Sequence, residues 1–157
     1  MKTVKLFSFV AFTILLSASL GMAASHGVFK AKLTGKQEVP AAMTKASGEA
    51  IFKLSKDGKE ITYTLDVKNI ENAKAAHIHE GKKGKEGGVV VGLFAGPKKE
   101  GMFSGVLAKG MITDKDLTGT LAGKTIGDLV ALIKNGGAYV NVHTDKYPGG
   151  EVRGQIK

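Results

Sequence analysis

Two of the four histidines in this 157-residue chain lie one residue apart, in the segment His77-Ile78-His79. Side chains alternate between the faces of a β-strand, so on a strand these imidazoles point the same way, about 6.6 to 7 Å apart along the chain. A third histidine, His143, ends the run AYVNVH, which has the composition of a strand. If the two strands are neighbours, the three rings form a three-nitrogen site with an open position, a ligand set that copper and zinc accept.

Five polar residues near these histidines are candidates to orient the rings by hydrogen bonds or to extend a polar network: Glu80, Asn141, Asp145, Glu151 and Arg153. Arg153 could also guide an anion to the open position of a metal. The histidines can equally satisfy one another and nearby backbone groups without any ion, as buried polar side chains ordinarily do. The sequence therefore leaves two interpretations open: a structural hydrogen-bond network, or a copper or zinc site.

The elements that would position these residues are mostly β-strands. Short runs rich in β-branched and aromatic residues recur between glycine and lysine turns, a pattern typical of an antiparallel sandwich or barrel. The pair Asp57-Gly58, set between two alternating runs, predicts a tight hairpin. Ile78, Val140 and Val142 alternate with the histidines, so we expect these apolar residues to face the core and the imidazoles to face away from it.

One short helix interrupts the β pattern near residues 126–134. Apolar residues recur there at helical spacing, Thr125 and Asp128 have the spacing of a capping box, and Asn135-Gly136 supplies a stop signal. No internal repeat or linker is visible, so residues 28–157 are predicted to form a single domain.

The first 24 residues are predicted to be a secretory signal peptide. Lys2 and Lys5 precede an apolar run over about residues 6–16, and small residues follow up to Ala23 and Ala24, where we expect cleavage. The apolar run is about half the length that a membrane-spanning helix needs. This predicts a protein exported to the periplasm or the extracellular space, with no transmembrane segment after cleavage.

The fourth histidine gives an alternative copper site. Cleavage after Ser25 would make His26 the new N-terminus, where its amine and imidazole together can chelate copper. Cleavage after Ala23 or Ala24 fits the small-residue rule better and leaves residues in front of His26.

The composition excludes several kinds of chemistry. The chain has no cysteine, so disulfides, iron–sulfur clusters and thiolate zinc sites are absent. Loss of Lys2 and Lys5 with the signal segment lowers the formal charge from +9 to +7. Arg153 is the single arginine, which disfavours specific nucleic-acid binding, whereas scattered lysines suit solubility or loose attraction to an anionic polymer. No nucleophile elbow or phosphate loop is present, so metal chemistry is the one visible route to catalysis.

Several stretches together resemble the chordin-type (CHRD) domain: AKLTGKQEVP, ASGEAIFKLSKDGKEITYTLDVKNI, AAHIHEG, GGVVVGLF and GGAYVNVHTDKYPGGEVRGQI. The resemblance spans about residues 31–156. It implies a secreted, all-β, immunoglobulin-like sandwich with no established enzyme activity. The growth factors bound by animal chordin belong to a different protein context and do not transfer to a single domain. The family often continues His-Ile-His with Gly-Pro-Ala, whereas Glu80-Gly81-Lys82 follows here.

A thinner similarity, His-x-His followed by Glu at residues 77–80, is to copper-zinc superoxide dismutase, also a β-sandwich. The full dismutase site is not expected, because the chain has no cysteine for its disulfide and no histidine between His79 and His143, but a simpler copper site stays open. Two hypotheses follow. The first is a non-enzymatic exported module that binds a protein or polymer partner or supports an assembly of the cell envelope. The second is a copper or zinc protein, redox-active if the ion is copper, that uses His77, His79 and His143.

Overall fold

The structure, a computed structural model, describes residues 27–157, which form seven β-strands and one α-helix. The predicted signal segment and His26 lie outside the described residues. The strands are β1 (Val28–Thr34), β2 (Ser47–Leu54), β3 (Ile61–Glu80), β4 (Val89–Phe94), β5 (Lys99–Ile112), β6 (Ala138–Thr144) and β7 (Val152–Gln155), and the helix is α1 (Ile126–Lys134).

All strand pairs are antiparallel, and five strands close a ring in the order β2-β1-β7-β6-β3, because β3 pairs with both β6 and β2. β4 and β5 also pair with β3. The predicted antiparallel all-β architecture is confirmed. The strands form one barrel-like closed arrangement, and the more specific immunoglobulin-like or dismutase-like sandwich stays a prediction.

The longest strand, β3, connects the two parts of the ring. Its first half pairs with β2 and β5, and its second half, which carries the two histidines, pairs with β6 and β4. The predicted hairpin joins β2 to β3: Gly58 has a φ of 73°, and the Ser55 amide donates to the Glu60 carbonyl at 2.9 Å. The Asp57 carboxylate accepts from the Ser55 hydroxyl at 2.6 Å and supports the turn.

The core fills the inside of the ring. Ile78, Val140 and Val142 are completely buried, whereas the histidines that alternate with them on β3 and β6 are half-buried. The prediction that the imidazoles point away from the packed interior is confirmed. Period-two alternation decides this, since a one-residue slip would exchange the two faces of the strand.

Helix α1 is confirmed at residues 126–134. The Thr125 amide donates to the Asp128 carboxylate at 2.9 Å, and the Asp128 amide donates back to the Thr125 hydroxyl at 3.4 Å, which completes the predicted capping box. One face of the helix is buried, through Ile126, Leu129, Val130 and Ile133. Within residues 27–157, no helix has the length and apolar character required to span a membrane.

Candidate metal centre

The outer face of β3, β6 and β7 is covered by three loops, over residues 35–46, 81–88 and 145–150. The Tyr147 hydroxyl donates to the Met43 carbonyl at 2.8 Å, and the Thr44 hydroxyl donates to Glu151 at 2.5 Å, so the first loop is tied to the third. Arg153 donates to the carbonyl oxygens of Lys82 and Lys85 and so holds the second loop. These loops enclose a polar layer between themselves and the sheet.

The three predicted histidines meet in this layer. His77 lies opposite Asn141 in the β3–β6 register, and His143 follows two residues later on the same face of β6. One ring nitrogen of each of the three histidines lies within 4.8 Å of the others. The shortest separation is 3.0 Å, between His77 Nδ1 and His143 Nε2. Two ligands on one tetrahedral zinc ion are about 3.3 Å apart, so the His77–His143 pair is close to that spacing, and the nitrogen of His79 lies within 4.8 Å of both.

Backbone carbonyls fix how two of the rings present their nitrogens. His79 Nδ1 lies 2.9 Å from the Gly87 oxygen, and His143 Nδ1 lies 2.9 Å from the Pro148 oxygen. A carbonyl oxygen only accepts, so each Nδ1 carries the hydrogen and each neutral ring offers a lone pair on Nε2. His143 Nε2 then accepts from His77 Nδ1, whereas His79 Nε2 is buried and has no partner within the described residues. Histidine ligands of metals are typically oriented in this way.

The electrostatics favour the neutral, ligand form of the rings. Burial, and then the neighbouring His143 and His79, lower the pKa of His77 to about 4. Burial also lowers the pKa of His143, with His79 and Lys74 acting in the same direction and the Pro148 carbonyl opposing them. Both side chains are therefore uncharged at neutral pH, which is the state that coordinates a metal.

We expect the metal-free protein to lose stability as the pH falls from about 6.5 to about 4, and the His77→Asn variant to lose less. Within this window the unfolded chain binds a proton on His77 that the folded chain does not, so the stability present above pH 6.5 is lost toward pH 4. The full shift corresponds to about 3 kcal/mol, but solvent screening of a half-buried group reduces the expected difference to about 1–2 kcal/mol. Urea denaturation at the two ends of the window measures it, and equal losses in both proteins would contradict it.

The carboxylates predicted to orient the imidazoles have other partners. Glu80 accepts from the Thr120 hydroxyl at 2.6 Å, and Asp145 pairs with Lys98 at 2.9 Å. Glu151 accepts from the hydroxyls of Thr44 and Thr144. None of these three carboxylates bonds to an imidazole: Glu80 alternates to the opposite face of β3, and the other two belong to polar networks that hold the loops, the second of the two roles expected for them.

Asn141 and Arg153 border the cluster without bonding to it. The Asn141 amide donates to the Gly149 carbonyl at 3.2 Å, and its own oxygen is buried without a partner in the described chain. Arg153 is 2% exposed, and its guanidinium stacks on the Tyr139 ring, 3.4 Å from the ring centroid. The Tyr139 ring also stacks on His79, so Arg153 reaches the cluster through Tyr139, and its role in guiding anions stays a prediction.

The sequence analysis missed three contributors to the site. Tyr139 stacks on His79 with ring centroids 5.0 Å apart and an interplanar angle of 11°. The sequence did contain a signal for Tyr139: it alternates along β6 with the same period as Asn141 and His143 and so lies on the same face of the strand. The carbonyl groups of Gly87 and Pro148 had no such signal, because any residue has a carbonyl and only the path of the loop brings it to an imidazole.

Comparison with known proteins identifies the family. The sequence model of the CHRD domain matches residues 29–156, nearly all of the described chain. Searches of curated proteins and of solved structures found no match. The matched region includes the three histidines and, apart from Val28 at the start of β1, all seven strands, and the chain belongs to the CHRD-domain family.

Proposed function

We propose that this protein is an exported, immunoglobulin-like binding module that holds a copper or zinc ion through His77, His79 and His143. The observation that carries the proposal is the set of three ring nitrogens, one from each histidine, that lie within 4.8 Å of one another. The buried Nε2 of His79, which has no partner in the described chain, supports it. The CHRD domain and the predicted signal segment support export to the periplasm or the extracellular space.

A purely structural network accounts for this arrangement less well. It pairs His77 with His143 but leaves a buried acceptor on His79 unsatisfied, which costs about 1–3 kcal/mol. A cation would take one lone pair from each ring, provided that the Nδ1 hydrogen of His77 moves to Nε2, a change of tautomer that keeps the ring neutral. The hydrogen bonds of His79 and His143 to backbone carbonyls stay intact when the ion binds.

The donor atoms restrict the choice of ion. Imidazole suits copper and zinc, whereas magnesium and calcium prefer oxygen ligands. Three protein ligands leave a position for water or a partner's side chain, and with copper the site has access to redox chemistry. The partner and the biological role are set by what occupies that position.

Titration of the purified, metal-free protein with zinc or Cu(II) tests the proposal. We expect one ion per chain and a rise in melting temperature, because a ligand bound only by the folded state stabilises it, by about 2.7 kcal/mol at a free concentration 100 times the Kd. The His26→Ala variant is the matched control, because it removes a histidine outside the cluster, and it should bind equally well. Absence of binding at micromolar metal would leave the structural network as the better interpretation, and loss of binding in the control would place the site at the N-terminus.

A further inference from the structure

A second polar site lies beside the histidine cluster, in a groove of about 270 Å³ between the loop at residues 35–46 and the loop at 81–88. Lys36 and Lys83 line it, together with the buried side chains of Glu38 and Arg153. Three of these four residues carry positive charge. The groove therefore has the electrostatic character of an anion site.

Arg153 is a buried cation. It forms no ion pair with a carboxylate in residues 27–157, because both ion pairs in that range are made by Lys98. The two hydrogen bonds of Arg153 both come from Nη2, so Nε and Nη1 have no protein acceptor in the described chain. Burial of an uncompensated charge is unfavourable, and each unused N–H group can donate to one oxygen of a carboxylate. A two-pronged contact is not available, because both two-donor edges of a guanidinium include Nη2, which the loop carbonyls occupy.

Glu38 is the carboxyl group of the groove, and it is 8% exposed with its Oε1 buried and unpartnered in the described chain. Burial raises its pKa to about 7, Glu86 adds to the rise, and Arg153 opposes it. A Cβ placed on Gly150 would lie 2.5 Å from this Oε1, so the glycine leaves room for the carboxyl group against the β6–β7 turn. A protonated Glu38 is a donor as well as an acceptor.

We propose that this groove binds the carboxylate of a small organic acid. One ligand oxygen accepts from an unused N–H group of Arg153 and the other from the protonated carboxyl of Glu38, and Lys36 and Lys83 attract the ligand from the rim. The volume of about 270 Å³, just below the range of ordinary small-molecule pockets, suits a small dicarboxylate. This inference is independent of metal binding.

The proposal predicts a specific pH dependence. The charged groups around Glu38 are Arg153 on β7, Glu86 and Lys83 in the loop at 81–88, and Lys36 on its own segment. Loss of the Glu38 proton places a negative charge against the ligand, so affinity should fall by about tenfold per pH unit above pH 7. The Glu38→Gln variant keeps a donor without the titration and should bind with little change over the same range.

Calorimetric and NMR titrations of the metal-free protein with glutarate, and with its neutral dimethyl ester, test this inference. We expect saturable one-to-one binding of glutarate alone, with amide shifts centred on residues 36–39 and 153. Lys83→Glu and Arg153→Lys should each weaken it by about tenfold, the first by charge reversal and the second by loss of the guanidinium N–H donor at that position. The matched control Lys109→Glu, at an exposed lysine on β5, should bind normally.

Three results would overturn the inference: no saturable binding, equal binding of the ester, or equal weakening in the Lys109→Glu control, which would indicate general attraction of anions to a basic protein. Arg153 also holds the loop at 81–88, so the Arg153→Lys variant is checked by its melting temperature. The Lys83→Glu and Glu38→Gln variants test the groove without disturbing that anchor.

Discussion

Replacement of His143 by alanine should lower the affinity for zinc by at least about 100-fold. Loss of a residue that only orients a metal ligand already costs about 10- to 100-fold, and loss of the ligand itself costs more. His143 is the informative choice because it comes from β6, whereas His77 and His79 share one strand and could retain a weak two-nitrogen site. Competition titration with a chromophoric chelator measures the change.

Two further variants make this result specific. His79→Ala should show a loss of the same order, since it removes the unpartnered nitrogen. Tyr139→Leu removes the ring stacked on His79 but no ligand, so a loss near tenfold is expected. Unchanged affinity in His143→Ala would show that the metal does not bridge the two strands, and the three-histidine site would be wrong.

The second large effect concerns closure of the ring. Gly154 on β7 lies against β1, where an added Cβ would overlap the Lys32 carbonyl oxygen and lie 2.7 Å from the Lys32 carbonyl carbon. These are backbone atoms and cannot rotate away, so one strand must shift. We expect Gly154→Ala to lower the free energy of unfolding by about 3 kcal/mol, at the upper end of ordinary overpacking costs. Urea denaturation measures the loss.

Gly92 on β4 is the matched control for this effect. It is also a strand glycine, but an added Cβ there has no neighbour within 4 Å, so Gly92→Ala should change stability by no more than about 0.5 kcal/mol. Similar stability of the two variants would mean that β1 and β7 do not approach as closely as described, and the five-stranded ring would not be closed at that seam.

The loops matter to the site as much as the strands do. His79 is held by the Gly87 carbonyl, and that loop is itself tied down by Arg153. A side chain at Gly87 would collide with the Glu80 carbonyl, so glycine is required for the loop to return close to β3. The polar, glycine-rich composition of residues 81–88 therefore does two things. It indicates a loop, and it allows that loop to come close enough to orient an imidazole.

Local patterns in the sequence were enough for the parts of the fold that depend on neighbouring residues. The Asp57-Gly58 hairpin, the capped helix at residues 126–134 and the outward direction of the histidines all follow from turn chemistry, capping and period-two alternation. Each is an interaction between residues close in the chain, so no tertiary information is needed to predict it.

Tertiary structure alone decided which partners meet across long sequence separations. The pairing of β6 with the second half of β3 brings His143 within 3.0 Å of His77, and the loops supply the carbonyls of Gly87 and Pro148. Glu80, Asp145 and Glu151 were equally plausible partners by sequence proximity, yet their hydrogen bonds go to Thr120, Lys98 and a threonine pair. A hydrogen bond needs atoms about 3 Å apart, and only the packing of whole strands and loops determines distances on that scale.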